Sequence, residues 1–193
     1  MGEWQNKAVL DVGCGEGVLC SMAAHAGASR VVGIDYSSEA IANANKKFNM
    51  DNLEFYAGDH KEINEKFDVI TMEGVMEHFD SPWDELKDML DNRLNENGYL
   101  ITSSPSFLNP RGYVWMTLLK LFDVPMSLTD IHYICPFDMK NFCEENGYNL
   151  EYKSIYQDWG SGSGMIGDFN KRLRNALRLS LIHISEPTRR TPI

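Results

Sequence analysis

Short apolar runs without polar alternation recur along the first hundred residues of the chain. Such runs are typical of parallel strands that helices cover on both faces, and they predict five strands. Stretches with helical spacing of apolar residues lie between the runs, so strand and helix alternate as in a doubly wound parallel α/β sheet. The predicted strands are Ala8–Leu10, Val31–Ile34, Leu53–Ala57, Phe67–Met72 and Tyr99–Ser103.

Three helices are predicted between these strands. Ser37 or Ser38 is expected to cap the second helix, and the third is expected to start with a Ser81 cap and Pro82 at its first position and to end at Asn97-Gly98. Each helix has one apolar face that we expect to turn inward. These faces are Val18, Leu19, Met22, Ala23 and Ala26 in the first helix, Ala40, Ile41, Ala44 and Phe48 in the second, and Leu86, Met89, Leu90 and Leu94 in the third.

The pattern changes after Ser103. The run from Tyr113 to Phe122 is apolar almost all round, which suggests a lid over an apolar acceptor, a core helix, or a contact with a partner or a membrane surface. A further helix, marked by Met139, Phe142 and Cys143, is expected to end at Asn146-Gly147, and a sixth strand is expected near Tyr148–Tyr156.

Composition narrows the possible functions. A chain of 193 residues is long enough for one domain, and it carries no apolar run of membrane-spanning length and no signal peptide, so we expect a cytoplasmic protein. Its net charge of -10 disfavours nucleic acid and favours a small-molecule partner, and it specifies no oligomeric state. The four cysteines lack metal-ligand spacing, so we expect reduced thiols and no metal.

Three glycines, Gly13, Gly15 and Gly17, follow Asp11 at the end of the first predicted strand and precede a helix. This order places main-chain N–H groups and a helix N-terminus at the carboxyl edge of the sheet, where ligands of such sheets bind. Glycine also lets an adenosine-bearing ligand approach the main chain without meeting a Cβ atom. We therefore expect a nucleoside cofactor at this turn.

The spacing of the glycines separates two classes of cofactor. The third glycine comes one residue too early for the dinucleotide motif G-x-G-x-x-G. Asp11 would repel a pyrophosphate but suits the cationic methionyl part of S-adenosylmethionine. At the next two strand ends, Asp35 can accept from ribose hydroxyls, and Asp59, with His60 beside it, can accept from the adenine amine. The alternative for Asp59 is a loop cap.

The segments "VLDVGCGEG", "GIDYS", "AGDH", "FDVITMEGVMEHF" and "LNENGYLITSSPS" resemble, in order and spacing, the motifs of class I S-adenosylmethionine-dependent methyltransferases over about residues 8–157. "EGVMEHFDSP" and "LITSSPS" are similar to the small-molecule branch that includes ubiquinone-biosynthesis O-methyltransferases. The resemblance implies a Rossmann-like fold and a set of cofactor contacts. These are Asp11, Gly13, Cys14, Gly15, Gly17, Asp35, Tyr36, Asp59, His60, Glu73 and Val75.

A hydroxyl acceptor needs a base, and histidine titrates near neutrality. His78 follows the fourth strand at the active-site edge and is the first candidate, while His132 is the second. Glu77 is placed to orient a histidine or to act as a solvated carboxylate. His78 also fits a capping or packing role. The predicted function is methyl transfer to a small molecule, and the alternatives are a nicotinamide-dependent oxidoreductase and a non-catalytic cofactor-binding module.

The organisation that follows has a methyltransferase domain over residues 1–157, with a substrate or lid insertion at about 104–135. Residues 158–178 are expected to form a linker and a basic helix. Residues 179–193 resemble a translated sequencing adapter, the alternative being a natural strand. Few residues precede the first strand, and the antiparallel strand that closes such sheets in the family is not expected before the tail, so a gap in the sheet and reduced stability are predicted.

Overall fold

The computed structural model describes residues 4–105, 108, 110–122 and 131–153, together with residues 167, 170, 171 and 174. The chain divides into two compact units, Met1–Pro105 and Ser106–Ile193. The adapter-like tail at 179–193 and most of the predicted linker and basic helix at 158–178 lie outside the described residues.

Five parallel strands form the sheet of the first unit, in the order β3-β2-β1-β4-β5. The chain runs outward from β1 to β3 and then crosses back to β4, which makes the gap between the carboxyl ends of β1 and β4 a topological switch point. This confirms the predicted doubly wound α/β fold. The strands are β1 (Ala8–Val12), β2 (Arg30–Asp35), β3 (Leu53–Ala57), β4 (Phe67–Glu73) and β5 (Leu94–Ser103).

The register of the three central strands places apolar residues in rows. Val9 pairs with Val31 on one side and with Val69 on the other, and all three pack against small residues of helix α1 (Val18–His25). Small side chains allow this helix to lie close to the sheet, so the row is excluded from water. A hydrogen bond also joins β1 to β4, because the Asp68 carboxylate accepts from the Ala8 N–H at 2.8 Å.

The predicted inward face of α1 is wrong for Val18 and Met22, although Ala23 is buried as predicted. The helix buries Cys20, Ser21, Ala23 and Ala24, whereas two of its larger side chains, Val18 and Met22, are 53% and 63% exposed. Helix α2 (Ser38–Lys47) matches its prediction: Ile41 and Ala44 are buried, and the Ser37 hydroxyl accepts from the Ala40 N–H at 3.2 Å.

Helix α3 (Pro82–Asp88) begins with Pro82 as predicted, but the Ser81 side chain makes no capping hydrogen bond. A π-helical turn, Met89–Arg93, ends the helical stretch, and Leu94 already belongs to β5, where it pairs with Phe67. The predicted end at Asn97-Gly98 is therefore wrong. These two residues lie in an irregularity of β5, where the pairing with β4 shifts register. An Asn-Gly pair suits such a turn of the chain as well as it suits the end of a helix, so the sequence does not separate the two.

The second unit contains helix α4 (Pro110–Phe122) and helix α5 (Pro136–Asn146), both predicted. Tyr113, Val114 and Leu121 of α4 are 54%, 41% and 70% exposed. The lid, the core helix and the contact with a partner or a membrane surface all stay predictions for this helix. Among the described residues, no helix is long and apolar enough to cross a membrane.

Gly147 caps α5 in the left-handed conformation, as its predicted end requires. Residues 148–153 then form no strand, so the sixth strand predicted over 148–156 is wrong for its described part. The Tyr148 N–H donates to the Cys143 carbonyl at 2.9 Å, and the Tyr148 ring stacks on Phe142 at 5.9 Å, so the chain folds back onto α5.

Candidate active site

The β1–α1 loop lies at the switch point and is tied to β2. The main-chain N–H groups of Gly13 and Cys14 both donate to the Ile34 carbonyl, at 2.8 and 3.1 Å. Gly17 has a φ of +76°, and a Cβ atom there would overlap the Phe55 ring. The end of the loop next to α1 is therefore packed onto the sheet, and position 17 accommodates only glycine.

Gly15 differs from Gly17, because an added Cβ atom would meet nothing within 4 Å. Its N–H donates to Asp35 Oδ2 at 2.8 Å, and Asp35 Oδ1 accepts from the Ser37 N–H at 2.8 Å. The carboxylate at the end of β2 is thus joined to the loop, beside open space. This opening is what a ligand lying across the main chain requires.

The loop also meets the segment that follows β4. A Cβ atom on Gly13 would lie 2.5 Å from Cγ2 of Val75, and the side chain of Glu73, the last residue of β4, is exposed. Two segments that the sequence assigned to one cofactor, about sixty residues apart in the chain, therefore come together across the switch point.

Asp11, a residue of β1, is buried against β4 and α1. Its Oδ1 accepts from the Thr71 hydroxyl at 2.6 Å, and its Oδ2 accepts from the Cys20 thiol at 3.2 Å. Burial raises the pKa of Asp11 above its ordinary value, although both hydrogen bonds oppose this. A hydrogen bond with Cys14, together with burial, raises the pKa of the Cys20 thiol.

Asp59 follows β3, the strand next to β2, and the register pairs Ala57 with Asp35. Its Oδ1 accepts from the Lys61 N–H at 2.9 Å, which is the main reason that the pKa of Asp59 is lowered. The carboxylate thus caps the short 3₁₀ turn His60–Glu62, as its alternative role predicted, and the Tyr36 hydroxyl contributes to the lowered pKa of Asp59. Tyr36 is 69% exposed.

His60 is only 2% exposed and lies between two carboxylates. Its Nδ1 is 3.4 Å from Asp59 Oδ1, and its Nε2 is 3.0 Å from Glu85 Oε2 of α3. The sequence placed His60 beside Asp59 but gave no sign of Glu85, which comes close only through the packing of α3.

The base candidates lie in different parts of the molecule. Glu77 and His78 belong to a short 3₁₀ turn, Met76–His78, just after β4, where Glu77 is 4% exposed and His78 is exposed. Glu77 Oε2 accepts from the hydroxyl of Ser104, which follows β5, at 3.2 Å. His132 belongs to the second unit.

Thr71 and Ser104 are further hydrogen-bond partners that escaped sequence reasoning. Thr71 lies beside Asp11 only because the register of β1 and β4 pairs the two residues. Within the described residues, no group of three or more His, Cys, Asp or Glu side chains is arranged to hold a metal ion.

This geometry suits an adenosyl cofactor with a cationic tail. Asp35 and Asp59 stand at adjacent strand ends, where their carboxylates can accept from hydroxyl and amine groups. The open space at Gly15 adjoins Asp35, and carboxylates at the carboxyl end of β1 and β4 supply negative charge.

Comparison with known proteins agrees with this class of cofactor. A family model described as a methyltransferase domain matches residues 4–159. The chain is 30% identical over 172 residues to the mitochondrial ubiquinone biosynthesis O-methyltransferase of Schizosaccharomyces pombe, covering 81% of this chain and 62% of the relative. It is 39% identical over 104 residues to the ribosomal protein L11 methyltransferase of Lactobacillus johnsonii, covering 52% of this chain and 32% of the relative. The chain thus spans less than two thirds of each.

A solved structure shares the fold. The magnesium protoporphyrin IX methyltransferase of Synechocystis, crystallised with bound SAH, superposes with a TM-score of 0.64 at 21% identity, over 81% of this chain and 70% of that one.

Proposed function

The chain belongs to the class I S-adenosylmethionine-dependent methyltransferases, and we propose that it transfers the methyl group to a hydroxyl of a small-molecule acceptor. Membership of this family removes the nicotinamide-dependent alternative. The observation that carries the choice of acceptor is the exposed imidazole of His78 at the carboxyl end of β4, next to a buried carboxylate. The O-methyltransferase named among the relatives supports the same choice.

We assign the cofactor contacts as follows. Asp35 accepts from the ribose hydroxyls, Asp59 accepts from the adenine amine beside Tyr36, and the charges of Asp11 and Glu73 favour the cationic methionyl part. The main chain from Gly13 through Cys14 and Gly15 to Gly17, together with Val75, forms the surface on which the cofactor lies. When bound, the cofactor supplies an electrophilic methyl group on a sulfonium sulfur.

The chain's own groups align the acceptor and remove its proton. Methyl transfer is an in-line displacement, so alignment and exclusion of water provide most of the rate increase. A neutral imidazole at His78 accepts the hydroxyl proton as the new bond forms. Glu77, held by the Ser104 hydroxyl, fixes the turn that carries His78, and His132 is the second candidate base.

We further propose that the acceptor is not a nucleic acid and that the chain acts in the cytoplasm. A net charge of -10 opposes the phosphate attraction on which nucleic-acid binding depends.

The test is a methyl-transfer assay on the full chain, with radiolabelled S-adenosylmethionine and three sets of acceptors: catechols and other phenols, small amines, and ribosomal protein L11. The last set tests the second candidate function, which the relative from Lactobacillus johnsonii favours. Mass spectrometry of the product locates the new methyl group. Label on a phenol oxygen supports the proposal, label on L11 alone replaces it with protein methylation, and cofactor binding without transfer to any acceptor favours the non-catalytic module.

A further inference from the structure

One buried side chain, His60, joins three parts of the first unit. Its ring nitrogens face the carboxylates of Asp59, in the turn after β3, and of Glu85, in α3. Its ring also packs against Phe79, with centroids 5.3 Å apart and planes inclined by 54°. Phe79 directly follows His78, so His60 contacts the segment that carries the proposed base.

The burial of His60 makes these contacts strong constraints. A polar ring that is 2% exposed is costly unless its nitrogens have partners, and here each nitrogen faces a carboxylate oxygen. The neighbouring ion pair from Lys61 to Glu85 joins the same two elements, but the Lys61 side chain is 55% exposed. Exposed pairs contribute little, so the buried imidazole provides the main polar link between the turn and α3.

The same burial keeps the His60 side chain away from the surface on which the cofactor lies. What it does touch is Asp59, whose carboxylate is fixed on one oxygen by the Lys61 N–H and approached on that oxygen by His60 Nδ1. The orientation of that carboxylate therefore depends on the nitrogen that His60 places beside it.

We propose that His60 is a positioning residue, which aims the Asp59 carboxylate at the adenine amine and keeps that carboxylate in register with the segment bearing Glu77 and His78. The proposal rests on the cofactor contact assigned to Asp59. It replaces the direct cofactor contact that the sequence predicted for His60.

Two variants separate the two ends of the imidazole. In His60→Asn the amide nitrogen lies near the place of Nδ1, so the variant keeps a polar nitrogen beside Asp59 and loses the link to Glu85. In His60→Gln the amide nitrogen lies near the place of Nε2, so the link to Glu85 remains and Asp59 loses its neighbour. A third variant, His25→Gln, alters an exposed histidine that bonds to the Ser21 carbonyl of α1 and serves as the matched control.

The experiment measures the binding of two ligands by calorimetry: S-adenosylhomocysteine and S-inosylhomocysteine, in which a carbonyl oxygen replaces the exocyclic amine. A hydrogen bond to a charged acceptor discriminates by about tenfold or more, so the unaltered chain and H25Q should prefer the adenosyl ligand by at least this factor. H60N should keep most of the preference. H60Q should reduce it to about twofold, with a melting temperature close to that of the unaltered chain.

The ratio of affinities is the decisive readout, because a purely structural role would weaken both ligands equally. An unchanged ratio in H60Q, or a loss of the ratio in H60N but not in H60Q, would overturn the positioning role. If H60Q does not fold, His60→Ala, which removes both ring nitrogens, takes its place: a ratio reduced to about twofold supports the proposal, and an unchanged ratio overturns it. Equal affinities in the unaltered chain would overturn the amine contact of Asp59 along with the role of His60, whereas failure to bind S-adenosylhomocysteine at all would contradict the cofactor site itself.

Discussion

The two halves of the active site are built differently. The proposed cofactor half consists of one glycine-rich loop, of carboxylates at the ends of neighbouring strands and of the end of β4 with Glu73 and Val75, all in the first unit. The proposed acceptor half draws its candidates from the turn after β4 and from the residue after β5, while the second candidate base, His132, belongs to the other unit. The first half depends on local backbone geometry, and the second depends on packing between distant segments.

This difference follows from the chemistry of each ligand. A nucleoside cofactor presents the same hydroxyls, amine and charge to every member of the family, so a loop and a few strand-end carboxylates suffice to hold it. Acceptors differ from one enzyme to the next, and the groups that select them are carried on loops and insertions around a common fold.

The largest expected effect separates two glycines of the same loop. Gly17→Val forces a branched side chain into a left-handed φ of +76° and onto the Phe55 ring, with the Ala44 Cβ 3.2 Å from the new Cβ. We expect a loss of about 3 kcal/mol or more in the free energy of unfolding. Urea denaturation followed by circular dichroism measures it.

Gly15→Ala is the matched control, because its Cβ atom meets nothing within 4 Å and only the φ of +54° is unfavourable. We expect a loss of about 1 kcal/mol in the free energy of unfolding and a disproportionate loss of S-adenosylhomocysteine affinity. Equal losses of stability in the two variants would contradict the division of the loop into a packed end and a ligand-facing end.

The next effect concerns the acceptor half. His78→Ala removes the proposed base, and general-base catalysis contributes about 100-fold or more to a rate, so kcat should fall by this factor for a hydroxyl acceptor. The dissociation constant of S-adenosylhomocysteine should stay within about twofold of its original value. Steady-state kinetics and calorimetry supply the two numbers, and His25→Ala is the control.

A fall in cofactor affinity that matches the fall in kcat would place His78 in the cofactor half instead. An unchanged kcat would exclude His78 as the base and leave His132, for which the same two measurements on His132→Ala are the test.

The strands and the loop chemistry follow from the sequence because each depends on neighbouring residues. Asp11, Asp35 and Asp59 are found from the ends of apolar runs, and the parallel order follows from the alternation of strands and helices. The errors arose where tertiary packing decides. In α1, small residues such as Cys20 and Ala23 face the sheet because they permit a close approach, while the more hydrophobic Val18 and Met22 are left exposed.

Partners that come from another strand or helix were also missed. Thr71 reaches Asp11 through the register of two strands, Ser104 reaches Glu77 from the end of β5, and Glu85 reaches His60 only when α3 is docked. No short motif contains both members of any of these pairs.

Asp35→Asn tests the hydrogen bond by which the carboxylate at the end of β2 holds the β1–α1 loop. The carboxylate accepts from two main-chain N–H groups, those of Gly15 and Ser37, whereas an amide has one oxygen and so leaves one N–H facing another donor. The ribose hydroxyls lose their charged acceptor as well. We expect S-adenosylhomocysteine affinity to fall by about tenfold, measured by calorimetry.

The control for that prediction is Glu39→Gln, an exposed acidic residue in the first turn of α2. It changes the net charge equally without touching the loop. Equal losses of affinity in the two variants would mean that Asp35 acts only through its charge.

Asp11→Asn should have the smallest effect and the opposite sign. Burial raises the pKa of Asp11 above its ordinary value of 3.8, so the folded state binds this proton more tightly than the unfolded state, and the stability this provides is lost as pH rises through the raised pKa. The asparagine variant carries no charge there, so it should become more stable than the unaltered chain by about 1 kcal/mol at pH 7, with the difference vanishing towards pH 3.

Asp68→Asn is the opposite control. Hydrogen bonds from the Ala8 N–H and from Asn95 lower the pKa of Asp68, so the loss of this carboxylate should destabilise the fold most at neutral pH. Denaturation curves from pH 3 to pH 8 compare them, and a destabilised Asp11→Asn at pH 7 would show that the hydrogen bonds from Thr71 and Cys20 outweigh the cost of burying the charge.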